Sequence, residues 1–226
     1  MTMINLTKWA VVIACAGFMA FTVQPAKADS ITFDLTTGNS AISGYPGPYA
    51  SVLVNRTSTT TATITFTSLT NSGKIYLFGD GSTVAVNVNA ASWTLGPVAG
   101  SNAGTGFTPA TYSNAGSQNV DGFGIFNQTI DSDDGYTHSS DTVSFSLTDT
   151  SGTWANAMAV LLANDRGSLA AAHIFVTAYP ANAANGALAT GFAGNGTTTD
   201  VPDSGSTVLL LGAALSAIGL VRRKLS

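Results

Sequence analysis

Between residues 59 and 70 the chain reads TTTATITFTSLT, a two-residue alternation. Ala62, Ile64, Phe66 and Ser68 fall on one side of it, and Thr61, Thr63, Thr65 and Thr67 on the other. A helix cannot sort that pattern, whereas successive side chains of a strand point to opposite faces of its sheet. β-Branched residues are stiff at χ1 and suit a pleated surface better than a helical one. Asn71-Ser72-Gly73 then turns the chain and residues 74–78, KIYLF, run back. Gly79-Asp80-Gly81-Ser82 opens a further strand over 83–89, in which Val84, Val86 and Val88 share a face. Strands returning at intervals of about ten residues favour an antiparallel sandwich or barrel over βαβ crossovers.

The remainder of the chain extends this pattern. Residues 31–35, 51–55, 122–130, 142–149 and 171–179 read as strands between turn residues. Residues 157–164, AMAVLLAN, are rich enough in Ala for a helix, but Asn164-Asp165-Arg166-Gly167 looks like a turn between two apolar strands, so a strand is expected there. The Gly-, Asn-, Ser- and Ala-rich stretch 96–119 reads as a long loop. The twelve acidic residues are all Asp, and scarce Glu, Lys and Arg leave little material for helix surfaces. With 226 residues the expectation is one domain: an all-β, antiparallel, jelly-roll-like β-sandwich over residues 29–193. A polar spacer follows at 194–200, GNGTTTD.

Both ends of the chain carry apolar segments of a different kind. Lys8 precedes the run WAVVIACAGFMAFTV at 9–23, and Ala26-Lys27-Ala28 follows. A positive start, an apolar middle and an A-x-A triplet have the form of a secretory signal peptide, predicting cleavage after Ala28 and a mature chain starting at Asp29. Cys15 is the single cysteine. Val12-Ile13-Ala14-Cys15 also looks like a lipoprotein box, but the apolar run continues to Val23, where a mature lipoprotein would turn polar. Cleavage after Ala28 leaves no thiol for a disulfide or a metal.

At the C-terminus, VPDSG at 201–205 leads into an uncharged run over 206–221 and then Arg222, Arg223 and Lys224. The run is slightly short of the roughly 20 residues that span a bilayer comfortably. Snorkelling of Arg222 extends it, and the basic cluster is placed to act as a stop-transfer anchor. Pro202 lacks an amide hydrogen and biases Val201 towards extended backbone, while Gly205 interrupts a helix leaving the membrane. This order of motif, span and basic tail closely resembles a PEP-CTERM-type sorting signal in its VPDSG variant. The resemblance implies Val201, Pro202, Asp203, Ser204 and Gly205 as the motif read by exosortase, a membrane-embedded transpeptidase-like enzyme. It also implies an inner-membrane-anchored precursor, later moved to the cell surface or extracellular polysaccharide. The order GFGIFN, TVSFSL, LLAN, AAHIFV is similar to β-rich cargo domains found ahead of such tails.

Between the two signals, three cations (Arg56, Lys74, Arg166) face eleven Asp, a formal charge of −8 over residues 29–200. Such a surface repels phosphate backbones and excludes nucleic acid as a partner. No G-x-S-x-G elbow, H-E-x-x-H helix or phosphate-binding loop is present. The two histidines are His138 and His173, and His173 within AAHIFVT reads as a hydrogen-bonded sheet residue. The densest chemistry is DSDDGYTHSSD at 131–141. There Asp131, Asp133, Asp134 and Asp141 are candidate calcium ligands, since hard cations take carboxylate oxygens, although a solvated acidic loop needs no ion. Paired carboxylates could also serve a glycosidase, but the sequence does not fix their separation.

Tyr45, Tyr49 and Phe107 lie in Pro- or Gly-rich loops where a ring could stack on a sugar, whereas Trp93 and Trp154 read as core anchors. The sequons at Asn55, Asn127 and Asn195 read as incidental turn residues. The expectation is a non-enzymatic, structural or adhesive exported protein, with a carbohydrate-binding module of the exopolysaccharide matrix and a secreted hydrolase as alternatives.

Overall fold

The alternation at 59–70 becomes a strand whose two faces are sorted as its sequence requires: Ala62, Ile64 and Phe66 are fully buried. The computed structural model describes residues 29–108, 110–132 and 135–198. The leader expected at 1–28, the motif, the apolar run and the basic tail lie outside the described residues. Thirteen strands are formed among the described residues: β1 (Asp29–Leu35), β2 (Thr37–Gly38), β3 (Ala50–Arg56), β4 (Thr61–Ser68), β5 (Thr70–Asn71), β6 (Lys74–Phe78), β7 (Val84–Val86), β8 (Trp93–Asn102), β9 (Tyr112–Val120), β10 (Gly124–Ser132), β11 (Ser140–Asp149), β12 (Ala170–Ala178) and β13 (Ala189–Gly194). Every ladder between them is antiparallel. The result is an all-β, open antiparallel sheet in the order β1-β3-β4-β11-β6-β12-β7-β10-β9, with β8 on β11, β13 on β12 and β2 on β13.

One core cluster draws side chains from both parts of this sheet. Val52, Val54, Ile64, Phe66, Val143, Phe145 and Leu147 come from β3, β4 and β11. Tyr76, Phe78, Val84, Val86, Ile130, Ile174 and Val176 come from β6, β7, β10 and β12. The parts are hydrogen-bonded where Ser140 of β11 pairs with Phe78 of β6. Phe66 is the hinge of the packing: its ring lies 6.4 Å from Phe145, stacked, and 6.2 Å from Phe78, edge-on. Trp154 is buried with its indole N–H donating to the Asn89 carbonyl at 2.8 Å. Trp93 is half-buried and donates to Gln128 Oε1 at 3.0 Å, so both indoles are anchors as expected.

Three segments depart from the sequence expectation. The stretch 96–119 is no single loop but contains most of β8 and β9. Its small residues are explained by close approach: a Cβ on Gly100 would collide with the Tyr112 hydroxyl, and one on Gly96 with Ser146 Oγ. Small side chains there hide the alternation that marks β4. Residues 157–164 do not form a strand. A 3-10 turn at Ala157–Ala159 is capped by the Asn156 side chain, and Leu161 makes an isolated bridge to Val88. The apolar run is continuous because it plugs the core end, not because it crosses a sheet: Ala157, Val160 and Leu161 are buried while Met158 and Leu162 are not. Lastly β13 extends to Gly194, and Asn195–Thr197 are bound to the fold, so residues 194–197 of the expected spacer belong to the sheet and its edge.

Two carboxylates at one end of the sheet are held below the ordinary range. Asp29 accepts the Ala157 amide at 2.8 Å and pairs with Arg56 Nε at 2.8 Å, which together outweigh its partial burial. Burial would raise Asp149, but the Ser151 amide and hydroxyl and the Gly152 amide, all accepted by Oδ1, outweigh it and lower its pKa. Groups that bind protons less readily folded than unfolded stabilise the fold above the unfolded value, about pH 4, and lose that contribution as pH falls through the folded one. Urea midpoints measured from pH 6 to pH 2.5 should therefore fall on acidification. Asp149→Asn should flatten part of that fall; an unchanged acid limb would show that the Ser151–Gly152 loop does not hold the charged form.

Candidate functional site

The acidic segment starts on β10 and ends on β11, at one pole of the sheet. Asp131 Oδ1 accepts the Ser82 amide at 2.7 Å, and its Oδ2 accepts Gln118 Nε2 at 3.5 Å. Ser82 Oγ in turn donates to Gln118 Oε1 at 2.8 Å. Asp141 accepts the Ser101 hydroxyl. Both carboxylates thus serve as acceptors for neighbouring backbone and side chains, Asp131 for the Ser82 turn and β9 and Asp141 for β8. Asp133 and Asp134 lie outside the described residues, and among those described no three His, Cys, Asp or Glu gather as a metal centre.

The loop aromatics are placed differently from their sequence context. Tyr49 is 3% exposed and packs edge-on against Tyr76 at 4.9 Å, with its hydroxyl donating to the Tyr45 carbonyl at 2.7 Å. Phe107 is 7% exposed and meets Tyr136 edge-on at 5.1 Å. Neither ring is available to stack on a sugar, since the loops that carry them fold back over the sheet; Tyr45 is half-buried against the core. Of the sequons, Asn127 sits in β10, where its side chain accepts the Val88 amide at 2.7 Å and donates to the Val88 carbonyl at 2.9 Å. It replaces a missing strand partner at the point where β7 ends.

His173, on β12, stacks on Phe192 at 4.5 Å, and its Nε2 lies 2.7 Å from Thr190 Oγ1. Burial pushes its pKa down, against the pull of Asp80 and the Gly81 and Gly79 carbonyls. The neutral ring is held as a sheet residue, in keeping with the sequence reading. His138 Nδ1 lies 2.9 Å from Thr108 Oγ1 in the turn Tyr136–His138.

The feature of functional consequence is how the chain leaves the fold. The turn 164–168 is built on Asn164: its Oδ1 accepts the Arg166 and Ser168 amides at 2.9 and 3.0 Å, and its Nδ2 donates to the Phe123 and Ile125 carbonyls at 2.9 and 3.1 Å. Asn195 Oδ1 accepts the Leu169 and Ala170 amides at 2.8 and 3.1 Å, Gly196 lies against Ser168, and Thr197 donates to the Arg166 carbonyl. A Cβ on Gly196 would run into Ser168 Oγ and the Arg166 carbonyl. Sequence reasoning missed this dock because Asn and Gly read equally well as loop residues; the pairing of two Asn side chains with distant backbone leaves no local signal.

The architecture is that of an all-β domain delivering its C-terminal segment from one fixed corner. Residues 200–225 match the VPDSG-CTERM motif family model, a PEP-CTERM-type exosortase sorting signal variant. The motif marks an exosortase-sorted, exported cell-surface protein. The chain has no match among the curated proteins or the solved structures.

Proposed function

We propose that this chain is a non-enzymatic structural or adhesive protein of the cell surface or polysaccharide matrix. Its leader at 1–28 directs export, its apolar run 206–221 anchors the precursor in the inner membrane with Arg222, Arg223 and Lys224 on the cytoplasmic side, and exosortase then releases the domain at the motif. The single observation carrying this reading is the VPDSG signal at 200–225 joined to a β domain. The domain is best described as a sandwich in packing, supported by the contact of Phe66 with both Phe78 and Phe145. A structural role is further supported by the engagement of Asp131, Asp141 and the His173 Nε2 with neighbouring protein groups.

Intact mass and C-terminal peptide mapping of the protein from its host, with and without the exosortase, test the sorting step. A mature form ending within Val201–Gly205 only when the enzyme is present is the expected result. A tail persisting through Ser226 in both strains would reduce the chain to a membrane-anchored domain.

A further inference from the structure

Both ends of the described domain emerge at the same pole of the sheet. Asp29 begins β1 and accepts the Ala157 amide, while the last described residues dock on the turn before β12. Ile31 and Phe33 of β1, Ala157, Met158, Leu161 and Leu169 line one open apolar depression; the Leu169 amide is held by Asn195. Around this corner stand three of the six large apolar side chains exposed among the described residues, Met158 at 71%, Ile125 at 58% and Leu162 at 55%, while Tyr179 and Leu188 stand towards the other end of β12. Leu162 is tied to Asn87, directly after β7, and Ile125 to Asn164.

Acidic side chains stand at both poles. Asp131 and Asp141 sit at the opposite ends of β10 and β11 from this corner, and Asp34 lies towards the far end of β1. The acids near the corner are engaged: Asp29 by Arg56, Asp149 by the Ser151 loop and Asp121 by Asn39 at 3.1 Å, with Asp165 beside Arg166. From Thr198, seven residues (199–205) reach the apolar run, a tether of at most about 25 Å when fully extended.

We propose that this corner is the membrane-proximal face of the precursor, and that Met158, Leu162 and Ile125 rest on the lipid surface while the apolar run is inserted. The inference rests on the tail anchoring given under Proposed function. A short tether holds the corner near the bilayer, and exposed aliphatic side chains gain by entering the interface. After cleavage the same patch is released into water.

The test uses the full-length precursor with Cys15→Ser, reconstituted in phosphatidylcholine–phosphatidylglycerol vesicles, bearing one cysteine at a time as Met158→Cys, Leu162→Cys or Ser72→Cys with an environment-sensitive fluorophore. Ser72 lies in the turn at the far end of β12, a strand whose nine residues span about 26 Å. Brominated lipid should quench the probes at 158 and 162 at least several-fold more than the probe at 72. Equal quenching at the two poles with the protein vesicle-bound would overturn the orientation while leaving anchoring intact. A precursor that stays in the aqueous phase would overturn both. In the anchored protein, the double variant Met158→Ser/Leu162→Ser, labelled at Ile125→Cys, should lose most of the quenching at that site; full retention counts against the aliphatic contact.

Discussion

Phe66→Ala is expected to cost about 3–5 kcal/mol of unfolding free energy, enough to leave a domain of ordinary stability largely unfolded at moderate urea. Phe66 is fully buried and touches both halves of the core, Phe78 at 6.2 Å and Phe145 at 6.4 Å. The cost has two sources, the lost transfer of the ring from water and the cavity that the surrounding sheet cannot close. Collapse is blocked because both neighbours are fixed by ladders, Phe145 to Ile64 and Val98, and Phe78 to Ile174. Equilibrium urea denaturation followed by tryptophan fluorescence gives the number, since Trp154 is buried in the same cluster. A loss below about 1 kcal/mol would mean that the two halves do not depend on this ring.

Asn164→Ala is expected to cost about 2 kcal/mol and to loosen the exit corner. The substitution deletes four side-chain hydrogen bonds at once, to Arg166, Ser168, Phe123 and Ile125, and leaves partly buried backbone groups without their partner. Because Thr197 and Gly196 dock on the same turn, amide exchange at 166–170 and 195–197 should accelerate together, while β4 and β11 stay protected. Coupled acceleration distinguishes a dock from a loop that happens to lie near the tail. If 195–197 exchange unchanged, the tether is held by Asn195 alone.

How legible the fold was varied with side-chain size. β4 and β11 were readable because large apolar residues alternate with Thr and Ser, a period only strands satisfy, and β6 and β12 as short apolar runs between turns. β8 and β9 were not, since Gly96, Gly100 and the Ser and Ala around them suppress the hydrophobic period to let layers approach. The run 157–164 misled for the opposite reason: its Ala, Val and Leu meet the core from an irregular segment, and burial without pairing looks like a strand from sequence alone. Tyr49 and Phe107 show the same limit, because loop composition does not say which way a loop folds.

Sequence by itself determined the sorting signal and the all-β character of the domain. Both are written in local order: a contiguous motif, apolar run and basic tail, and a two-residue period. The tertiary structure alone decided which loop aromatics are buried, that Asp131 and Asp141 accept hydrogen bonds from neighbouring protein groups, and where the described chain leaves the sheet. Those depend on contacts between residues far apart in the chain, such as Asn195 with Leu169, Asn39 with Asp121 and Asp29 with Ala157. Such pairings have no periodicity to read, because the partner of each group is fixed only when the sheet has closed around the core.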